Sequence, residues 1–226
     1  MPQTSFIRER ATILSQAQTV NKMEQKAVLL PLRWYALRMD DLLEEKFGIR
    51  STQESGQFEG TFLLAMPNMD SSVFERSIIY LCAHSEDGAM GFQVNKSAKM
   101  TVKELINSTD LGKKTKFVDD ATSIDTELVR NGGPVDEHRG FVLHSGDYES
   151  EATIPISDMV YLTSNIQILR SIGLGIGPKK SAVALGYSGW GPGQLEQEIA
   201  DNVWLTLDAD PEFLFDHAHE GKYERM

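Results

Sequence analysis

The chain from residue 58 to residue 96 alternates short apolar runs with turn residues, a pattern that predicts strands rather than long helices. The run Thr61–Met66 is closed by Pro67, which cannot continue a sheet ladder. Ile78–His84 is joined to Ala89–Asn95 through an Asp-Gly pair, which favours a hairpin. The first strand of this hairpin is apolar at consecutive positions, as expected of a strand buried on both faces.

Later segments add further strands and short helices. Strands are predicted over Glu127–Arg130, Gly140–Ser145, Met159–Thr163, Ser181–Tyr187 and Trp204–Leu207. Helices are predicted after the capping boxes that begin at Thr101 and Ser164, over Gln194–Asn202, and after Asp210-Pro211, whereas Lys113–Thr126 is predicted to be a loop. Because strands and short helices are mixed, the predicted fold class is α+β, with the sheet packed against several helices.

Residues 1–57 differ from the rest, because their apolar spacing is only weakly helical and residues 48–57 are polar and rich in turn formers. The chain therefore divides into an N-terminal extension over 1–57, helical or disordered, and a domain over 58–226. Met39, followed by Asp40-Asp41-Leu42-Leu43, is a candidate for the natural start of the protein.

The composition of the chain argues against several classes of function and location. Residues 59–226 carry 14 basic and 26 acidic residues, a net charge of −12, which argues against non-specific binding to nucleic acid. The single cysteine, Cys82, rules out an intramolecular disulfide and fits the cytoplasm. No apolar run near the N-terminus reaches the roughly 20 residues needed to span a bilayer, so no membrane association is expected.

The glycine-rich segment Gly186–Gly193 is the most conspicuous candidate for chemistry. It resembles the G-x-S-x-G turn that presents a nucleophilic serine, but Trp190 stands where the second glycine is required. Backbone amides here could instead hold phosphate, although Glu196 and Glu198 in the next helix would repel it. The favoured interpretation is structural, with the glycines allowing close packing under Trp190 and Ser188 having no catalytic role.

Histidines and one cysteine supply weaker candidates. Cys82 and His84 are two apart on one predicted strand and so would share a face, but a cysteine among apolar residues is usually inert. If His84 and His144 met at one sheet edge, with Asp87 or Asp147 nearby, a metal site could form. The spacing does not require it, and His217-x-His219 is only a weak metal signal, so neither a metal nor a cofactor is predicted.

Ordered sequence blocks resemble the bacterial AlgH/YqgE family from Phe58 to about Phe215. They are Leu64–Pro67, Ala83-His84, Gly88–Gly91 with Val94–Lys96, Gly132–Val135, Arg139–His144, Ala184–Tyr187 with Gly189-Trp190, and Gly193–Glu196 with Glu198. The resemblance implies a single α+β domain with a split, mostly antiparallel sheet, and a cytosolic protein linked to the regulation of alginate production. It supplies no catalytic residues.

Two features depart from that family pattern. One is the long N-terminal extension. The other is the end of the chain, where family members usually continue into another helix, so a C-terminal truncation that leaves Phe213 and Leu214 exposed is expected.

The predicted function is that of a transcriptional regulator that acts through an unknown protein partner or small ligand rather than as an enzyme. The alternative is an enzyme or small-molecule-binding protein with a pocket near His84, His144 and Gly186–Gly193. The candidate functional surface comprises His84, Arg139, His144, Gly186, Ser188 and Trp190.

Overall fold

A computed structural model describes residues 57–67, 72–109 and 122–226. Nearly all of the N-terminal extension, with Met39, lies outside the described residues, as does most of the predicted loop Lys113–Thr126. In chain order the strands are β1 (Thr61–Ala65), β2 (Ile78–Ser85), β3 (Gly88–Gln93), β4 (Ser97–Thr101), β5 (Leu128–Asn131), β6 (Val135–His144), β7 (Thr153–Pro155), β8 (Tyr161–Thr163), β9 (Ser181–Trp190) and β10 (Trp204–Asp208). The helices are α1 (Val102–Ser108), α2 (Thr122–Thr126), α3 (Gln167–Gly173), α4 (Gln194–Ala200) and α5 (Pro211–Phe215), followed by a 3-10 turn at Tyr223–Arg225.

The strands form one sheet in the order β10-β1-β2-β3-β9-β6-β8-β7, with β5 paired to β9 and β4 paired to β5. Every pair is antiparallel except β5 with β9. Strand β9 is central, because its last residues pair with β3 while its earlier residues pair with β5 and β6. It therefore joins the two halves of the sheet.

The predicted fold class is wrong. The sheet is mostly antiparallel and curls into a half-barrel with few helices, so it is not an α+β sheet packed against several helices. The helices described here are only five to seven residues long. Because a curled sheet brings its own strands face to face, strand side chains supply most of the core, and long covering helices are not needed.

The apolar core lies on both faces of the sheet. The larger cluster contains Phe62, Ile78 and Tyr80 with side chains from β3, β6 and β9, and α5 adds Leu214 and Phe215. The smaller cluster takes the alternate residues of the same strands, and is completed by α4 and β10. Its buried members are Leu63, Ala65, Ile79, Leu81, Ala89, Trp190, Leu195 and Trp204. Burial of both faces of β2 confirms the prediction of an interior strand.

Local signals predicted some element boundaries correctly and others wrongly. Thr101 forms the predicted capping box with Glu104, and Asp210 caps α5 with Pro211 in its first turn. The capping box predicted at Ser164 is wrong, because α3 begins after Ile166, which makes no side-chain cap. Strands β4 and β7 and helix α2 were not predicted, and β6 and β9 are longer than predicted.

The last helix is well covered. Leu214 is 0% exposed and Phe215 is 5% exposed. Tyr223 packs against the larger cluster, and its hydroxyl donates to the carbonyl of Ala65. The expected exposure of Leu214 is therefore wrong. No helix in the part of the chain that the structure describes is long and apolar enough to cross a membrane.

Candidate functional site

Two glycine motifs meet backbone to backbone at the centre of the sheet. Gly186 in β9 has φ +71°, and a Cβ atom there would lie 2.4 Å from the carbonyl oxygen of Gly133. The Gly132 N–H donates to the Leu185 carbonyl at 2.8 Å, and its own carbonyl accepts from Gln93 N–H at 2.8 Å. Only residues without a Cβ permit this approach, so the glycines serve the packing of β9 against the turn between β5 and β6.

The segment predicted as a glycine loop is largely strand. Strand β9 continues to Trp190, so only Gly191, Pro192 and Gly193 separate it from α4. The Ser188 side chain is buried, and its hydroxyl donates to the Gly132 carbonyl at 3.3 Å. An exposed nucleophile on a strained turn is not what this geometry provides.

The carboxylate of Glu198 organises the region after β9. Its Oε2 atom accepts from the indole N–H of Trp190 at 2.9 Å and from that of Trp204 at 2.8 Å. Its other oxygen accepts from the Gln194 side-chain amide at 2.9 Å. The two indoles pack edge to face with ring centroids 5.9 Å apart. Helix α4 is thereby fixed against β9 and β10.

His84 is also tied to this helix. Its Nε2 atom lies 2.8 Å from Glu196 Oε1, and its ring packs against that of Phe58 with the ring centroids 5.1 Å apart. Burial opposes ionisation of Glu196, but its own backbone amide and His84 outweigh that effect and lower the pKa of the carboxyl. The Nδ1 atom of His84 is buried and has no hydrogen-bond partner within the described part of the chain.

The prediction that Cys82 and His84 share a face is wrong. The register of β2 with β3 shifts between Leu81 and Ala83, so a bulge interrupts the alternation. Cys82 lies in the larger core cluster, whereas His84 turns to α4 on the other face. Burial raises the pKa of the Cys82 thiol well above its usual value, which disfavours the nucleophilic thiolate.

His144 is buried, and both of its ring nitrogens make hydrogen bonds. Its Nδ1 atom lies 2.8 Å from the Ser145 carbonyl and its Nε2 atom lies 2.9 Å from the Thr163 hydroxyl. Because a carbonyl only accepts, Nδ1 carries the proton and Nε2 accepts from Thr163. Burial lowers the pKa of His144, which keeps the ring neutral.

The structure does not bring the two histidines together. His84 pairs with Ala89, which pairs with Trp190 at one end of β9. His144 pairs with Ser181 at the other end of β9. The two registers are separated by about 30 Å of strand. No group of three potential metal ligands occurs among the described residues.

Arg139 lies on β6, where the register with β9 is irregular between Val135 and Gly140. The residues from Asp136 to Arg139 belong to this strand. Arg139 is only 6% exposed, and its guanidinium lies 5.4 Å from the centre of the Phe141 ring.

A groove of about 370 Å³ runs beside the end of β9. It brings together one predicted residue, Trp190, and neighbours of Gly186 and Ser188. Its lining comprises Asp87, Val135, Tyr187, Gly189, Trp190, Gly191 and Pro192. Of the remaining candidates, His84 is on the strand that leads into the hairpin of Asp87, whereas His144 lies at the far end of β9.

A second cluster was missed from the sequence. Arg130 and Lys222 are almost completely buried, and His219 adjoins both. An arginine in the otherwise apolar run Leu128–Arg130 was the available signal. His217 and His219 do not form one site, because His217 pairs with Glu127, its Nδ1 atom lying 3.5 Å from Glu127 Oε1.

Comparison with known proteins defines the class to which this fold and surface belong. The AlgH-like family model matches residues 62–226, which is more than half of the chain. A UPF0301 protein of Brucella melitensis biotype 2 is 48% identical over 177 residues, covering 78% of this chain and 88% of that protein. A UPF0301 protein of Mesorhizobium japonicum is 46% identical over 186 residues, covering 82% and 91%. The chain therefore belongs to the AlgH-like family, as its sequence blocks predicted.

One solved structure agrees with this assignment, and a second shares the fold. The solution structure of the AlgH protein from Pseudomonas aeruginosa is similar with a TM-score of 0.60 and 36% identity, covering 73% of this chain and 85% of that one. A crystal structure of a Corynebacterium diphtheriae protein shares the fold with a TM-score of 0.57 at 17% identity, covering 84% and 92%.

Proposed function

We propose that this protein is a cytoplasmic, non-catalytic regulator that acts by binding another protein, and that its effect on transcription is indirect. The groove beside the end of β9 carries this proposal. The resemblance also implies a link between the family and the regulation of alginate production, which supports a regulatory function. The net charge of −12 over residues 59–226 favours a protein partner over nucleic acid.

The lining of the groove indicates what kind of partner segment it fits. Val135 and Pro192 supply apolar surface over the buried rings of Tyr187 and Trp190, and Asp87 supplies an exposed acidic group. The backbone of Glu137 passes beside Gly186, so a second carboxylate belongs to the same region of the sheet. A segment with one apolar anchor next to lysine or arginine matches this chemistry.

The polar groups of the side chains beside the groove make hydrogen bonds within the protein, which supports binding rather than catalysis. The Ser188 hydroxyl is bonded to a backbone carbonyl, and the Trp190 indole is bonded to Glu198. The rival hypothesis of a pocket shared by His84 and His144 gains no support, because their registers lie at opposite ends of β9.

Gly191 offers a direct test, because it is exposed and a Cβ atom there would meet only Gln194 Oε1, at 3.8 Å. Gly191→Arg should fold normally while placing bulk and positive charge in the groove. Ile176→Arg, at a position that is 70% exposed, introduces the same charge elsewhere. Both variants would be expressed in a strain that lacks the gene, and transcript levels would be compared.

A regulator that acts through the groove predicts that Gly191→Arg reproduces the deletion profile and that Ile176→Arg restores the normal one. A photo-crosslinking residue at position 191 should also capture a protein that the same residue at position 176 does not. Full complementation by a folded Gly191→Arg protein would overturn the proposal.

A further inference from the structure

A buried group of positive side chains lies where β5 meets the C-terminal segment. Arg130 is 2% exposed and Lys222 is 0% exposed. His219 lies close enough that both cations disfavour its protonation. Buried arginine and lysine side chains are rare unless a negative group compensates them.

The compensation within the described residues is incomplete. Lys222 Nζ donates to the Asp216 carbonyl at 2.8 Å, and Arg130 Nη2 reaches the same carbonyl at 3.5 Å. The Asp216 carboxylate instead pairs with Arg225 at 2.7 Å. Arg130 Nη1 and His219 Nδ1 are buried atoms with no hydrogen-bond partner in the described part of the chain. The two cations therefore donate to backbone carbonyls, Glu127 and Asp216 act on Arg130 as nearby charges, and hydrogen-bonding capacity is left over.

The electrostatics agree with this geometry. Burial and the neighbouring Arg130 lower the pKa of Lys222 to about 7 and that of His219 to about 4. Burial lowers the pKa of Arg130 to about 10, against the opposing effects of Glu127 and Asp216. Burial disfavours the positive charge on each of the three groups, and Arg130 further disfavours those on Lys222 and His219, so an added negative group would stabilise them.

A cavity of about 430 Å³ adjoins this cluster. Most of its lining is polar, and comprises Gln93, Asn95, Lys96, Ser97, Asn131 and His219. Val73 and the single acidic residue Glu220 complete it. Ser97 is the register partner of Arg130, and Asn131 follows Arg130 in β5, so the backbone of Arg130 runs beside the cavity, although its side chain is not part of the lining. The volume suits a metabolite-sized molecule.

We propose that this cavity binds a small organic anion, whose carboxylate or phosphate group lies against His219 and Lys96, within the field of the buried Arg130. Oxyanions use the donors that the lining supplies, which are an imidazole, the Lys96 ammonium, side-chain amides and a hydroxyl. The acidic exterior would repel an anion elsewhere on the protein, so saturable binding should be confined to this cavity. The cavity is separate from the groove, because the two share no lining residue.

The test uses the full chain and two probes, inorganic phosphate and succinate, at an ionic strength kept constant with chloride. Calorimetry measures affinity, and backbone amide NMR shifts locate the site. His219→Gln keeps a polar side chain of similar reach that cannot take up a proton beside a bound anion, and Lys96→Met removes the lysine of the lining. Lys179→Met is the matched control, because it removes a lysine whose side chain is 87% exposed.

We expect at least one probe to bind saturably, with amide shifts centred on residues 93–97, 131 and 219. The affinity should fall at least about tenfold in His219→Gln and in Lys96→Met, and stay within about twofold in Lys179→Met. Tighter binding of phosphate would indicate that the ligand is phosphorylated, and tighter binding of succinate would indicate a carboxylate ligand. Equal affinity for the two probes would indicate that the cavity accepts oxyanions in general.

Three results would overturn the proposal. One is that neither probe binds below about 10 mM, which is weaker than ordinary metabolite sites. Another is that the amide shifts centre elsewhere. The third is that His219→Gln and Lys96→Met both bind as the unaltered chain does. If either variant does not fold, the shift pattern of the unaltered chain decides the question.

Discussion

Gly186 and Gly133 are in such close contact that a Cβ atom on Gly186 would lie 2.4 Å from the Gly133 carbonyl oxygen. Gly186 has φ +71°, a conformation that side chains with a Cβ rarely adopt. This contact explains why two glycine motifs, far apart in the sequence, are both present. They allow the backbone of β9 to pass directly against the turn between β5 and β6, and the groove lies beside this contact.

Gly186→Ala should lower the free energy of unfolding by about 2–5 kcal/mol, from the left-handed backbone and from the clash with Gly133. Gly191→Ala is the matched control, because its backbone is not left-handed and its new atom would meet only a side-chain oxygen at 3.8 Å. Urea unfolding of both variants measures the difference. Equal stability of the two would show that the contact does not constrain the fold.

Ser188→Ala should change the free energy of unfolding by less than about 1 kcal/mol and leave function intact. The hydroxyl makes one long hydrogen bond, and its acceptor, the Gly132 carbonyl, keeps the shorter bond from Gln93. Denaturant unfolding, with the complementation test used for Gly191→Arg, checks both parts. Lost complementation by a folded Ser188→Ala protein would instead indicate a functional hydroxyl.

Glu198→Ala should destabilise the protein by about 2–4 kcal/mol, because two indole N–H groups lose a charged acceptor. Glu198→Gln keeps one acceptor oxygen and should cost less. Glu212→Ala is the control, because Glu212 is exposed and belongs to a different helix. Unfolding curves and the tryptophan emission maximum report the loss, and the idea fails if Glu198→Ala matches Glu212→Ala.

Two histidines should affect the pH dependence of stability with opposite signs. The pKa of His144 is lowered by burial, so the unfolded chain takes up the proton more readily and His144 reduces stability as pH falls below 6.5. The pKa of His217 is raised by Glu127, so His217 contributes stability below 6.5 that is lost as pH rises through its higher folded pKa.

Relative to the unaltered chain, His144→Gln should therefore flatten the acid side of the stability profile. His217→Gln should lower stability at acidic pH and leave it unchanged at alkaline pH. Urea midpoints measured between pH 5 and 9 distinguish the two, and parallel profiles for both variants would contradict the assignments.

Local sequence rules predicted the elements whose cause is local. The hairpin of β2 and β3 follows from an Asp-Gly turn between apolar runs. The ends of α1 and α5 follow from Thr101 with Glu104 and from Asp210 with Pro211, because a cap needs only neighbouring residues. The family could also be identified from the sequence, since its ordered blocks are a property of the chain itself.

The fold class and the sites depended on tertiary contacts. Period-2 and helical patterns predict elements, but the curl of a sheet arises from pairing between strands, so the half-barrel was not predicted. The bulge in β2 sends Cys82 and His84 to opposite faces, and it exists only in register with β3.

The buried cationic cluster also shows the difference between what the sequence determines and what the tertiary structure decides. Sequence alone determined that an arginine sits within an apolar run and that a lysine stands near the end of the chain. Only the folded structure brings Arg130 and Lys222 to one carbonyl group beside a cavity, because β5 and the C-terminal segment meet through long-range packing. Local propensity determines which elements form, whereas contacts between distant segments decide which side chains share a site.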